Sequence, residues 1–242
     1  MNKKINYGID APGVILNLMV IGSLCILIFL ALLIFKVMAI PYPLISTLPF
    51  AGVICLAEGG LMLRYSMFGK FKHRDKMLAM YNWKGGEKVL DIGTGRGLLL
   101  IGAAKHLTTG TAIGIDIWSA KDLSHNTEGN NIENALAEGV LNKTKVMEMD
   151  ICKTSFPDNE FDVILSNLCL HNIKGKEHRK KACAEIARLL KSTGVALISD
   201  FKNNKEYTHN FMSLGLKVEN TGHNYLNTFP TLTILKVTRT TP

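Results

Sequence analysis

From Val14 to Phe35 the chain is almost wholly apolar, interrupted only by Asn17, Gly22 and Ser23. A helix of that length, rising about 1.5 Å per residue, spans roughly 33 Å and can cross a hydrocarbon core of about 30 Å. Lys36 closes the run, Pro41-Tyr42-Pro43 forms a turn, and a second apolar run extends from Leu44 to Leu63. The first run is longer than the ~7–15 apolar residues of a signal peptide, and no small-residue cleavage site follows it. Residues 1–63 are therefore expected to form a hairpin of two transmembrane helices. The second run carries Pro49, Gly59-Gly60 and Glu58, whose place near its end suits an interfacial carboxylate.

Polar and apolar positions then interleave over residues 64–83. Phe68, Phe71, Met77, Leu78, Met80, Tyr81 and Trp83 alternate with Arg64, Lys70, Lys72, Arg74 and Lys76. The pattern predicts a basic amphipathic linker helix along the headgroups, and it also suits packing against the next domain.

Over residues 84–242 the periodicity changes to short buried runs separated by helical stretches. Strands are expected at 87–92, 111–116, 145–149, 161–166, 195–200, 216–221 and 231–238. Helices are expected at 98–107, 126–141, 176–191 and 204–213. Alternation of this kind predicts an α/β doubly wound, seven-stranded and mostly parallel sheet. No helix fits between the last two strands, so they should end the sheet as an antiparallel hairpin.

Charge sharpens the picture. The formal net charge is +8, and much of it lies just after the apolar hairpin. That placement favours a lipid bilayer as partner, with no nucleic acid expected. Lys3 and Lys4 before the first span and the basic cluster after the second put both ends on the cytoplasmic side, as an integral membrane protein. A short hairpin also allows a homodimer. The five cysteines include no CxxC pair, so neither a disulfide framework nor a metal site is expected.

The first strand runs into Asp91-Ile92-Gly93-Thr94-Gly95-Arg96-Gly97. Its glycines permit positive φ and close backbone approach, and the next helix offers free N–H groups. About 20 residues on, Asp116 ends the second strand, where a carboxylate can accept ribose hydroxyls. The spacing is GxGxG, whereas a nicotinamide dinucleotide site carries GxGxxG.

These residues resemble the class I S-adenosylmethionine (SAM)-dependent methyltransferases over roughly residues 84 to 240. Val89 to Gly97 is similar to that family's first motif, and Gly114-Ile115-Asp116-Ile117-Trp118 to its ribose-binding loop. Met149-Asp150-Ile151 matches the adenine-facing carboxylate. Pro157 to Ile164 with Ser166-Asn167-Leu168 matches the fourth-strand motif. Leu189-Leu190-Lys191-Ser192-Thr193-Gly194 resembles the turn before the fifth strand, with Ser-Thr where Pro-Gly is more usual. The resemblance implies SAM as cofactor and S-adenosylhomocysteine as product, held by Asp91, Gly93, Thr94, Gly95, Gly97, Asp116, Ile117, Trp118, Asp150, Ile151 and Asn167.

The acceptor is expected at the carboxyl end of the fourth strand. Leu168 and Cys169 there break the patterns of amino-directed and ring-carbon nucleic-acid methyltransferases. The Leu-His-Asn-Ile run is closer to small-molecule and lipid methyltransferases. His171 is the candidate general base or acceptor-orienting group, with Asp200 as its possible neighbour in the cleft. Asp122 and His125, in the loop after Asp116, are candidates to contact either cofactor or acceptor, and Tyr225, Asn227 and Phe229-Pro230, in the closing hairpin, are candidates for an acceptor wall. Cys152 and Cys169 read as packing residues. A membrane anchor raises the effective concentration of lipid-dissolved acceptors, which points to a lipophilic small molecule. The alternatives are a membrane-tethered protein or RNA methyltransferase and a non-catalytic SAM-binding protein.

Overall fold

The computed structural model describes residues 5–35, 42–119, 122–224 and 227–239, with backbone alone for 42–45 and 223–224. Lys3, Lys4, Lys36, Pro41 and Tyr225, given roles above, lie outside the described residues.

Seven strands form one sheet: β1 (Lys88–Ile92), β2 (Thr111–Asp116), β3 (Thr144–Glu148), β4 (Phe161–Asn167), β5 (Leu190–Asp200), β6 (Leu216–Asn224) and β7 (Leu232–Arg239). Their order is β3-β2-β1-β4-β5-β7-β6. β1 pairs in parallel with both β2 and β4, so the order reverses beside the glycine turn. Ligands of open α/β sheets bind at such a reversal, beyond the carboxyl ends of the strands. The closing hairpin is antiparallel, with β7 inserted between β5 and β6.

Successive strand side chains divide between two cores, as a two-residue period requires. Val89, Val163 and Leu165 pack with Leu100, Ile101 and Leu107 on one face. Leu90, Ile92 and Ile164 pack with Ile186, Tyr207 and Phe211 on the other. The covering helices are α4 (Leu98–Ala104), α5 (Glu128–Ala137), α6 (Lys176–Leu189) and α7 (Asn204–Ser213).

Several boundaries depart from expectation, and those of α5 and β5 have a visible local cause. α5 starts at Glu128 because the Thr127 side chain accepts a hydrogen bond from Asn130 N (3.3 Å), and Gly139 at φ +71° follows its end. β5 starts five residues early: Leu190 already pairs with Phe161, and the Lys191–Gly194 stretch is taken up as a register shift before Val195 meets Val163.

The apolar runs form α1 (Pro12–Ile34) and α2 (Tyr42–Arg64), both in helices long and apolar enough to cross a membrane. They pack antiparallel through small residues. A Cβ on Gly22 would lie 2.9 Å from Gly52 O, and one on Gly52 would lie 3.0 Å from Gly22 O. Without side chains at these positions the helix backbones come close enough for dispersion contact.

α2 does not stop at a linker. It passes through a π-helical turn (Tyr65–Gly69), in which Lys70 N–H donates to Tyr65 O, straight into α3 (Lys70–Leu78). Tyr65, Ser66, Gly69, Lys70, His73, Met77 and Leu78 make its buried stripe. Phe71, Met80, Tyr81 and Trp83 also pack against the domain core, while Met67 and Phe68 stay exposed. The apolar face of this segment thus turns toward the protein.

Candidate active site

The glycine turn is shaped by local backbone bonds before any ligand enters. Gly93 and Thr94 donate to Ile115 O (2.8 and 3.1 Å), and Gly97 donates to Thr94 O (2.8 Å). Gly93, Gly95 and Gly97 have φ of +68°, +52° and +87°, a region costly for residues with a Cβ. Gly114 leaves the space in which the Thr94 side chain is tucked, and Asn131 Nδ2 donates to Thr94 Oγ1 (3.3 Å).

Asp116, at the end of β2, ties this turn to the next. Its Oδ2 accepts from Gly95 N (2.8 Å) and its Oδ1 from Trp118 N (2.7 Å), with Asn126 Nδ2 at 3.4 Å. Asp91 lies under the loop and accepts from Leu100 N (2.9 Å). Burial pushes its carboxyl up to about 7, against the pull of Thr94 and Leu100.

The other expected cofactor residues divide. Asn167 lines the cleft with Asp91, Gly93, Thr94 and Gly95. Trp118 is held at φ +57° beside Asp116, and Ile117 is exposed past the strand end. Asp150 is exposed and its Oδ1 accepts from Cys152 N (2.8 Å), whereas Ile151 is buried in the core.

His171 and Asp200 come together. His171 Nδ1 lies 2.8 Å from Asp200 Oδ1, outside hydrogen-bond alignment, while His171 N donates to Asp200 Oδ2 (3.1 Å). Phe201 packs edge-on against the imidazole, with centroids 4.7 Å apart. Past Phe201 the surface opens into a recess of about 550 Å³ bounded by Asn203, Asn220 and Thr233. Leu168, the residue that directly follows β4, is held at φ +53°, strain of a kind that clusters at working sites.

Several cleft residues had no local sequence signal. Tyr7 and Asp10 reach the cleft from a strap, residues 5–11, that crosses the glycine turn. The strap pairs with the loop after β2: Ile9 N donates to Ser124 Oγ, Ser124 N to Ile9 O and Ala11 N to Asp122 O. Lys70 lines the same cleft from α3, and Arg96 from the turn itself. Tyr65, from the π turn, accepts from Asn167 Nδ2 at 3.4 Å. Asp122 and His125 are exposed, so the loop contributes backbone and Leu123 to the cleft. Burial holds the Cys169 thiol well above its ordinary range, which suits a packing role.

The residues fit SAM on one physical count in particular. Arg96 Nε, Trp118 Nε1, Asn126 Oδ1 and Asn167 Oδ1 are buried without a hydrogen-bond partner among the described residues. Each such group costs about 1–3 kcal/mol, and their gathering around one turn marks a polar ligand. The open cleft is about 60 Å³, far below the ~300 Å³ or more of ligand sites. Leu123 packs over Gly95 and Cys169 over Gly93.

Comparison with known proteins agrees with the geometry. Residues 90–198 match the family model of a methyltransferase domain. The chain is 33% identical over 147 residues to the ubiquinone/menaquinone biosynthesis C-methyltransferase UbiE of Paraburkholderia phytofirmans, covering 60% of this chain and 53% of that one. It thus spans about half the length of that relative. A SAM-dependent methyltransferase from Aquifex aeolicus superposes with a TM-score of 0.53 at 20% identity, over 68% of this chain and 88% of that one. A geranyl diphosphate methyltransferase in complex with SAM superposes with a TM-score of 0.58 at 13% identity, over 70% and 85%.

Proposed function

With a SAM-dependent methyltransferase domain as the premise and SAM as its cofactor, we propose that the whole chain is a membrane-anchored methyltransferase acting on a lipophilic or amphiphilic small molecule. The observation that carries this reading is the unbroken passage of the second apolar helix into the active-site wall, where Tyr65 meets Asn167. Leu16, Val20, Leu24, Leu27, Phe50, Val53 and Ile54 are all exposed on the hairpin, an apolar surface larger than water-facing proteins tolerate. A bilayer covers it. The relative from Paraburkholderia is named for C-methylation in ubiquinone and menaquinone biosynthesis, and products of that kind dissolve in lipid.

In this reading the cofactor supplies an electrophilic methyl group on a sulfonium. Asp116 and the glycine turn fix the nucleoside. The acceptor would sit at the carboxyl end of β4. His171, steadied by Asp200, takes the proton from an acceptor hydroxyl or ring carbon. Asp200 is fully buried, and its carboxylate stands 2.8 Å from the imidazole Nδ1.

The test is direct. Detergent-solubilised full-length protein is incubated with methyl-labelled SAM and an extract of its native membrane. Label entering an organic-extractable product supports the proposal. Label entering only soluble thiols or amines, protein or RNA overturns it.

A further inference from the structure

One end of the cleft carries more charge than a nucleoside needs. Asp10, in the strap just before α1, and Lys70, just after the π turn that follows α2, meet there as a pair 3.2 Å apart. Lys70 is 3% exposed, and its Nζ also donates to Tyr7 O (3.0 Å) and Gly8 O (2.6 Å). Ser66 Oγ donates to Asp10 Oδ2 and accepts from Asp10 N, both at 3.0 Å. Arg96, 7% exposed, faces the same cleft, and among the described residues its Nε–H and the Asn167 Oδ1 acceptor there have no partner.

Two cations, one anion and a bare carbonyl oxygen around one small space match an amino-acid zwitterion. Resting on the SAM reading above, we propose that Arg96, Lys70, Asp10 and Asn167 form the subsite for the amino-acid end of the cofactor. Arg96 and Lys70 take the α-carboxylate, which replaces a strap carbonyl on Lys70. Asp10 and Asn167 Oδ1 accept from the α-ammonium. Because Asp10 and Lys70 flank the apolar hairpin, the anchor's two ends complete the cofactor site, and the sheet domain alone lacks half of this subsite. Charge-assisted bonds of this type are the strong ones in a dry cleft.

Calorimetry on the full chain in micelles, with two probes, tests it. S-adenosylhomocysteine carries the amino-acid end, and 5′-methylthioadenosine does not. Wild type should prefer the homocysteine compound by about tenfold or more, equivalent to about 1.4 kcal/mol. Arg96→Gln and Asp10→Asn should each remove most of that preference and leave 5′-methylthioadenosine affinity unchanged. Equal affinity of wild type for the two probes overturns the inference while the SAM reading stands, and that comparison needs no variant to fold. Variants that weaken both probes alike also overturn it, since they report a merely structural role. If wild type binds neither probe, the SAM reading itself fails and takes the subsite with it.

Discussion

His171 and Asp200, from the ends of neighbouring strands, share one short contact: imidazole Nδ1 stands 2.8 Å from carboxylate Oδ1. The second carboxylate oxygen accepts the histidine's own backbone N–H at 3.1 Å, so the carboxylate ties the turn after β4 to the end of β5.

Loss of the imidazole in His171→Ala should lower kcat by ~10²-fold or more, the usual range for general-base removal. Affinity for S-adenosylhomocysteine should stay within about twofold. Single-turnover rates and calorimetry on the same preparation separate the two. An unchanged kcat would remove His171 from the chemistry.

Asp116→Ala should act on the opposite side of that division. Its carboxylate closes the glycine turn through Gly95 N and Trp118 N and is the expected ribose acceptor. Affinity for both S-adenosylhomocysteine and 5′-methylthioadenosine should fall about a hundredfold, the size expected for two charge-assisted bonds. Retained labelling by SAM at micromolar concentration would contradict this placement.

The Asp91 carboxyl, raised to about 7 by burial, couples folding to pH. A raised folded value means that its contribution is present in full below the unfolded value near 4. That contribution is lost as pH rises through about 7. Asp91→Asn removes the titration, so its stability relative to wild type should grow between pH 5 and 8, by on the order of a few kcal/mol. Chemical denaturation of both proteins across that range is the measurement, and a constant difference would sink the assignment.

Close packing of the apolar hairpin rests on Gly22 and Gly52. A side chain at Gly22 would meet Leu56 Cγ at 2.8 Å and Gly52 O at 2.9 Å, and backbone cannot yield. Gly22→Ile should therefore destabilise the full chain in micelles by about 1–3 kcal/mol, as overpacking does. Gly60 has nothing within 4 Å of its absent Cβ, so Gly60→Ala should be neutral or slightly stabilising. Thermal unfolding midpoints of the two variants decide the matter.

Much of this was written locally in the chain. The two apolar runs, the strand–helix alternation and the GxGxG turn depend on neighbours within a few residues, through periodicity and positive φ. The antiparallel ending was legible because the last two strands leave no length for a crossover helix. Asp116 and Asn167 were found because each ends a strand whose position was already known. Other features lie beyond any local pattern. Asp10 and Lys70 are 60 residues apart, and nothing around either announces a partner. The 64–83 segment shows an amphipathic stripe, but periodicity states only that a face is apolar. Whether lipid or sheet covers that face was decided by the π turn at Tyr65–Gly69, which carries the second apolar helix into the domain without a break. The alignment of His171 with Asp200 likewise waited on the pairing of β4 with β5, since side chains 29 residues apart acquire a fixed distance only once the sheet is closed.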